Sequence, residues 1–251
     1  MASLALLDRI GGFAYREFKE LPPNRFRIRV GVGNRIVFNQ IQYMEQSYLT
    51  WIKFFAEFTS LSSNVVDIGS GCGRGAYALK RLGNAFQGHY TGIDVDIEMI
   101  NWCQKNFPSG KFDFIHVNMA SKVYNPSGTT EKAALPIVDE SQDFVFSQSL
   151  FTHLLEDDLH YYVKESYRML KPGAAMFMGV FCIDDMRDSG TLGNRWTFVH
   201  RSGEAFIENV KYPEAAVGYT REYLEEVARG FGFKSAEVRI NHPQSLLVCR
   251  K

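Results

Sequence analysis

Val65-Val66-Asp67-Ile68-Gly69-Ser70-Gly71-Cys72-Gly73-Arg74-Gly75 runs directly into Ala76-Tyr77-Ala78-Leu79-Lys80-Arg81-Leu82. A short apolar run, four alternating glycines and a helix-forming stretch predict a strand–loop–helix in which backbone, not side chains, comes close to a ligand. The spacing separates this loop from the dinucleotide fingerprint G-x-G-x-x-G, which counted from Gly69 needs glycine at the position of Arg74. The pattern is D-x-G-x-G-x-G instead. Asp67 puts a carboxylate at the strand's tip, where it would attract a cationic amine and repel a pyrophosphate.

Tyr90-Thr91-Gly92-Ile93-Asp94 reads as the next strand and ends in an acid that can accept two ribose hydroxyls. With loop and acid in this order, the sequence resembles class I S-adenosylmethionine-dependent methyltransferases, whose cofactor carries an amine and an adenosine but no phosphate. The alternative for these residues is a glycine turn with a solvated Asp94. The resemblance implies an α/β, Rossmann-like fold with a seven-stranded mixed sheet of order 3-2-1-4-5-7-6 and helices on both faces. It also implies cofactor contacts from Asp67, Gly69, Ser70, Gly71, Gly73, Asp94, Val95, Asn118, Met119 and Ser147. Asn118 stands where relatives often have an acid facing the adenine, and its amide offers both a donor and an acceptor.

The 251 residues suit one domain, expected to comprise an N-terminal helical extension over 1–60 and a substrate cap over 182–219. Lysine plus arginine equals aspartate plus glutamate, 28 against 28, so no global field favours nucleic acid. Cys72, Cys103, Cys182 and Cys249 lack C-x-x-C spacing and read as reduced cytoplasmic thiols. Ser3–Leu7 is too short for a signal segment, and no apolar run reaches the length of a membrane span, so neither secretion nor membrane insertion is expected.

Along the chain, Leu6, Ile10, Phe13 and Ala14 predict a helix over 3–20, ended by Pro22-Pro23. Arg25-Phe26-Arg27-Ile28-Arg29-Val30-Gly31-Val32-Gly33 alternates basic and apolar residues, as a half-exposed strand with a solvated or site-lining basic face would. Met44, Tyr48, Trp51, Ile52, Phe55 and Phe58 predict a helix over 41–58. Asp96 or Asp94 caps a helix over 97–107, and residues 112–117 form a third strand. A fourth strand over 143–146 leads into Ser147-Gln148-Ser149-Leu150-Phe151-Thr152-His153. A helix over 157–170, stopped by Lys171-Pro172-Gly173, precedes the fifth strand over 174–181. Thr220 caps a helix over 221–230, and residues 233–240 and 245–250 fit a terminal hairpin.

The resemblance covers nearly the whole chain. Tyr124-Asn125-Pro126-Ser127-Gly128, the block around Phe151-Thr152-His153 and Pro213-Glu214-Ala215-Ala216-Val217-Gly218-Tyr219 are similar to a bacterial methyltransferase group associated with glycosyltransferases and surface-glycan assembly. It implies O-methylation of a sugar or glycan terminus, with a small-molecule or glycan acceptor as partner. The alternatives are a phenolic or secondary-metabolite acceptor, a non-catalytic cofactor-binding subunit and, on residues alone, a nicotinamide oxidoreductase. His153, just past the fourth strand, is the candidate base; it can equally cap a helix or line the cleft. Asp184, Asp185 and His200 are further candidates. Adjacent Asp184 and Asp185 on an extended segment would point to opposite sides, so no metal is expected.

Overall fold

A computed structural model describes residues 15–30, 39–47, 51–121, 125–241 and 244–251. Among the described residues there are ten strands. The order runs β3 (Phe112–His116), β2 (His89–Asp94), β1 (Asn64–Ile68), β4 (Gln142–Ser147) and β5 (Leu170–Cys182). Beyond β5 lie β10 (Ser245–Arg250) and then β9 (Ser235–Arg239). Counting β9 and β10 as the sixth and seventh strands, this is the expected 3-2-1-4-5-7-6. β10 is antiparallel to β5, with Ser245 opposite Val180 and Arg250 opposite Ala175. Three further strands, β6 (His200–Ser202), β7 (Ala205–Ile207) and β8 (Val217–Tyr219), continue from the far end of β5, where Phe181 pairs with Gly218. At three residues each they are too short to show an alternating pattern in the sequence.

The chain divides into two compact units. One holds the residues up to Ser63 together with Ser70–Thr130. Within it Asn24–Arg27 (α1), Gln40–Glu45 (α2), Trp51–Phe58 (α3), Arg74–Lys80 (α4) and Ile97–Asn106 (α5) accompany β2 and β3. Asp96 caps α5, its carboxylate accepting from the amides of Glu98 and Met99. Residues 3–14 of the expected first helix lie outside the described residues, and Arg16–Glu20 is a short 3-10 turn. Of the expected strand over 25–33, Arg25–Arg27 is helical and 28–30 a turn and bend, while 31–33 lie outside the described residues; Arg27 is buried, its Nε donating to Asn39 Oδ1 at 2.7 Å and its Nη1 to the Pro22 carbonyl. The alternating pattern misleads here because the charge that reads as solvated is satisfied internally. Of the expected helix over 41–58, Gln40–Glu45 (α2) and Trp51–Phe58 (α3) are helical, and 48–50 lie outside the described residues.

The second unit holds Asn64–Gly69 and Glu131–Lys251. The long helix Glu156–Met169 (α6) starts with Glu156, Asp157 and Asp158, which complement its dipole. Lys171-Pro172-Gly173 does not follow the helix as a loop; it bulges within β5, whose pairing shifts from Gln142–Leu170 to Phe144–Ala175. Ile183–Asp188 (α7) and Arg221–Gly230 (α8) complete the unit, and Thr220 caps α8 through the Tyr223 amide. β9 alternates cleanly, with Ala236 and Val238 inward.

Residues 182–219 build a core of their own. Phe181, Ile183, Met186, Phe198 and Ala216 are buried together, with Leu192, Trp196 and Phe206 packed against them. The aromatics of this segment therefore serve largely as packing. Phe198 sits at φ 45°, a left-handed conformation that bulky residues rarely adopt. Glu208 holds it there, accepting from the amides of Phe198 at 2.8 Å and Thr197 at 2.7 Å. Burial alone would raise the Glu208 pKa, but these bonds and that from the Thr197 hydroxyl bring it below the usual value.

Candidate active site

In the first unit the glycine loop is fastened to β2 by backbone. The Ser70 amide donates to the Ile93 carbonyl at 3.1 Å, and the Gly73 amide to the Ser70 carbonyl at 3.0 Å. Gly73 has φ 78°, and a Cβ there would lie 2.9 Å from the Phe107 ring and 3.2 Å from Cys103 Sγ. Only glycine meets both conditions.

Asp94 is the hub of this half. Its Oδ2 accepts from the Gly71 amide at 2.7 Å and its Oδ1 from the Asp96 amide at 2.8 Å. Burial raises the carboxyl's pKa, while these backbone donors act in the opposite direction. The two amides orient the carboxylate, and each oxygen keeps a lone pair for a hydroxyl. Val95 follows, its carbonyl accepting from His116 Nε2 at 3.2 Å. His116, a neighbour of Asp94 across the β2–β3 ladder, was not among the expected site residues.

Asn118 is exposed and Met119 half-buried, and both are held by the turn that follows. Asn125 Nδ2 donates to Asn118 Oδ1 at 3.1 Å and to the Met119 carbonyl at 3.0 Å, and the Thr129 amide donates to the Asn118 carbonyl at 2.9 Å. The Asn118 amide oxygen thus already accepts one hydrogen bond within this turn.

In the second unit Asp67 and Ser147 end buried strands, and Gly69 takes φ 76°. The Ser147 hydroxyl is buried without a protein hydrogen-bond partner, as is that of Ser70 in the first unit. In the first unit the orphaned Ser70 hydroxyl, a backbone-lined loop and a carboxylate with spare lone pairs suit a hydroxylated nucleoside without phosphate. The residues fit S-adenosylmethionine.

After β4 the chain turns sharply at Ser149, φ 64°. The Ser149 hydroxyl meets the Gln244 carboxamide, 3.2 Å from Oε1 and 3.1 Å from Nε2. A one-turn 3-10 helix, Phe151–His153, follows, with the His153 amide donating to the Leu150 carbonyl at 2.8 Å. Phe151 and Thr152 are buried; His153 is half-buried, its Nδ1 2.8 Å from the Glu214 carbonyl.

Asp184 and Asp185 lie on α7, not on an extended segment. Asp184 accepts from the Arg221 amide at 2.8 Å; Asp185, buried, pairs with the Arg221 guanidinium and the Ser245 hydroxyl. Both help to anchor α7 to α8. His200 is exposed on β6. Among the described residues no group of three or more His, Cys, Asp or Glu is placed to hold a metal, and no helix is long and apolar enough to cross a membrane.

Residues 66–178 match the methyltransferase domain family. This stretch is a methyltransferase domain. Its cofactor is S-adenosylmethionine. The domain includes the glycine loop, Asp94, Ser147 and His153, and ends at Met178, short of the segment carrying Glu214. The chain is 33% identical over 116 residues to a human arsenite methyltransferase, and 29% identical over 115 residues to one from Aquipseudomonas alcaligenes. Each match takes in 45% of this chain and only 29% and 31% of those proteins, so the chain spans under a third of their length. A solved methyltransferase from Methanosarcina mazei superposes with a TM-score of 0.56 at 18% identity, over 79% of this chain and 96% of that one. At that identity the likeness speaks for the methyltransferase fold.

Proposed function

We propose that the protein transfers a methyl group from S-adenosylmethionine to a hydroxyl of a sugar or glycan terminus, with His153 as the base. The observation that carries this reading is the His153–Glu214 hydrogen bond. A carbonyl oxygen can only accept, so Nδ1 carries the proton and Nε2 of the neutral ring is the acceptor.

S-adenosylmethionine supplies a methyl group already activated on a sulfonium, so the chain's own residues have two tasks: aligning the acceptor and taking its proton. His153 Nε2 takes the proton from the acceptor hydroxyl. The Glu214 carbonyl keeps its bond to Nδ1–H in both protonation states, so the ring stays oriented. The Ser149 hydroxyl and Gln244 carboxamide, next to this turn, offer donors and an acceptor suited to a neighbouring sugar hydroxyl.

The relatives favour a second reading, arsenite as acceptor. Arsenic(III) is soft and thiophilic, and a site for it calls for thiolates. All four cysteines are buried; burial pushes the Cys72 and Cys182 thiols up to about 11 and Cys249 higher still, which keeps all three protonated at neutral pH. The oxygen acceptor is therefore the better fit. Methyl-labelled S-adenosylmethionine, offered with methyl glycosides, catechol or arsenite plus glutathione, tests the choice. Label on a glycoside is the expected result; turnover of arsenite or catechol alone would overturn the sugar reading.

A further inference from the structure

Arg29 lies far in sequence from the glycine loop, as one cation in an alternating run. In the structure its guanidinium pairs with the Asp96 carboxylate. Asp96 is 4% exposed, caps α5 through its other carboxylate oxygen, and donates its own amide to Asp94 Oδ1 at 2.8 Å. Asp94 in turn accepts from the Gly71 amide. Four residues thus form one continuous path: Arg29, Asp96, Asp94, Gly71.

Two neighbouring contacts run from the same part of the chain to the same loop. A Cβ on Gly71 would lie 3.0 Å from a Val30 methyl. Tyr43 is fully buried, its hydroxyl 3.4 Å from the Cys72 carbonyl and 3.6 Å from Cys72 Sγ. Arg27, bonded to Asn39, ties the stretch that carries Arg29 to the one that carries Tyr43.

We infer that Arg29 is a positioning residue for the cofactor, acting through Asp96 to keep Asp94 and the Gly71–Cys72 backbone in binding geometry. A buried carboxylate such as Asp96 is costly without a counter-charge, and its uncompensated field would fall on Asp94. Arg29 neutralises that charge while leaving the amide of Asp96 directed at Asp94. The inference rests on reading Gly71 and Asp94 as cofactor-holding residues, which Asp94→Ala tests separately.

The test is calorimetric titration of S-adenosylhomocysteine into the full chain, with no acceptor present. Arg29→Ala should raise Kd roughly tenfold, less than a fully buried pair would because Arg29 is one-third exposed. Arg29→Lys should recover part of that loss. In an Asp96→Asn background, where the cap oxygen stays but the charge goes, Arg29→Ala should change Kd by less than about twofold. Binding to the wild type should weaken with salt more steeply than binding to Arg29→Ala. Wild-type affinity in folded Arg29→Ala, or the same tenfold loss with and without the Asp96 charge, would overturn the inference. If Arg29→Ala does not fold, Arg29→Met replaces it and is judged by the same two outcomes. If Asp94→Ala also binds normally, the reading of the site itself is wrong; if only the Arg29 variants bind normally, the inference alone is.

Discussion

Asp94 and His153, each the hub of one unit of this molecule, are oriented by backbone groups, but from different distances along the chain. The amides on Asp94 come from Asp96, two residues away, and from Gly71, 23 residues away in the loop between β1 and α4. The carbonyl on His153 comes from Glu214, 61 residues away and outside the methyltransferase domain. The half proposed to hold the cofactor therefore draws its partners from within 23 residues of chain, whereas the half proposed for proton transfer depends on the distant segment Pro213–Tyr219. A loop of fixed backbone can hold a common cofactor in many proteins, while the base must be set for one acceptor.

The largest expected effect lies on the His153 side. His153→Ala should lower kcat roughly 10²–10⁴-fold with S-adenosylmethionine affinity nearly unchanged, because a base acts only as the methyl group moves. His153→Gln should not restore it; near-normal kcat in either variant, measured by methyl transfer, would reduce His153 to a lining residue and erase the contrast. On the loop side, Gly73→Ala combines a left-handed φ with a contact at 2.9 Å to the Phe107 ring. It should cost about 2–4 kcal/mol in urea unfolding, from backbone strain and overpacking together.

Asp94→Ala should weaken S-adenosylmethionine binding by about 1.5–3 kcal/mol, the range for hydrogen bonds to a charged group, without unfolding the chain. The pH dependence has a definite sign. Burial raises the Asp94 pKa above its ordinary 3.8, so on acidification wild-type affinity should begin to fall at a pH above that value, and calorimetry at stepped pH should show this loss absent from Asp94→Ala. The smallest effect is expected at a local feature of the second unit. Thr220→Ala, which removes the cap on the Tyr223 amide, should lower stability by about 1 kcal/mol, with cofactor affinity unchanged.

Sequence alone determined the features that a few neighbouring residues settle. Val65–Ile68 is apolar enough to be a buried strand, the loop glycines permit left-handed turns, Asp94 ends the next strand, and Asp96 and Thr220 sit where a helix needs a cap. Each of these depends on backbone conformation and periodicity over one or two turns of chain. Tertiary structure decided what partners far along the chain impose. Arg27, in a run that alternates like a strand, is helical and buried because Asn39 and the Pro22 carbonyl satisfy it. Asp184 and Asp185 look like a spare acidic pair until Arg221, 36 and 37 residues on, claims both. Ser149 meets Gln244 across 95 residues, and the tautomer of His153 is set from Glu214. No local pattern encodes such pairings, because the two partners meet only when separate stretches of the chain have folded against each other.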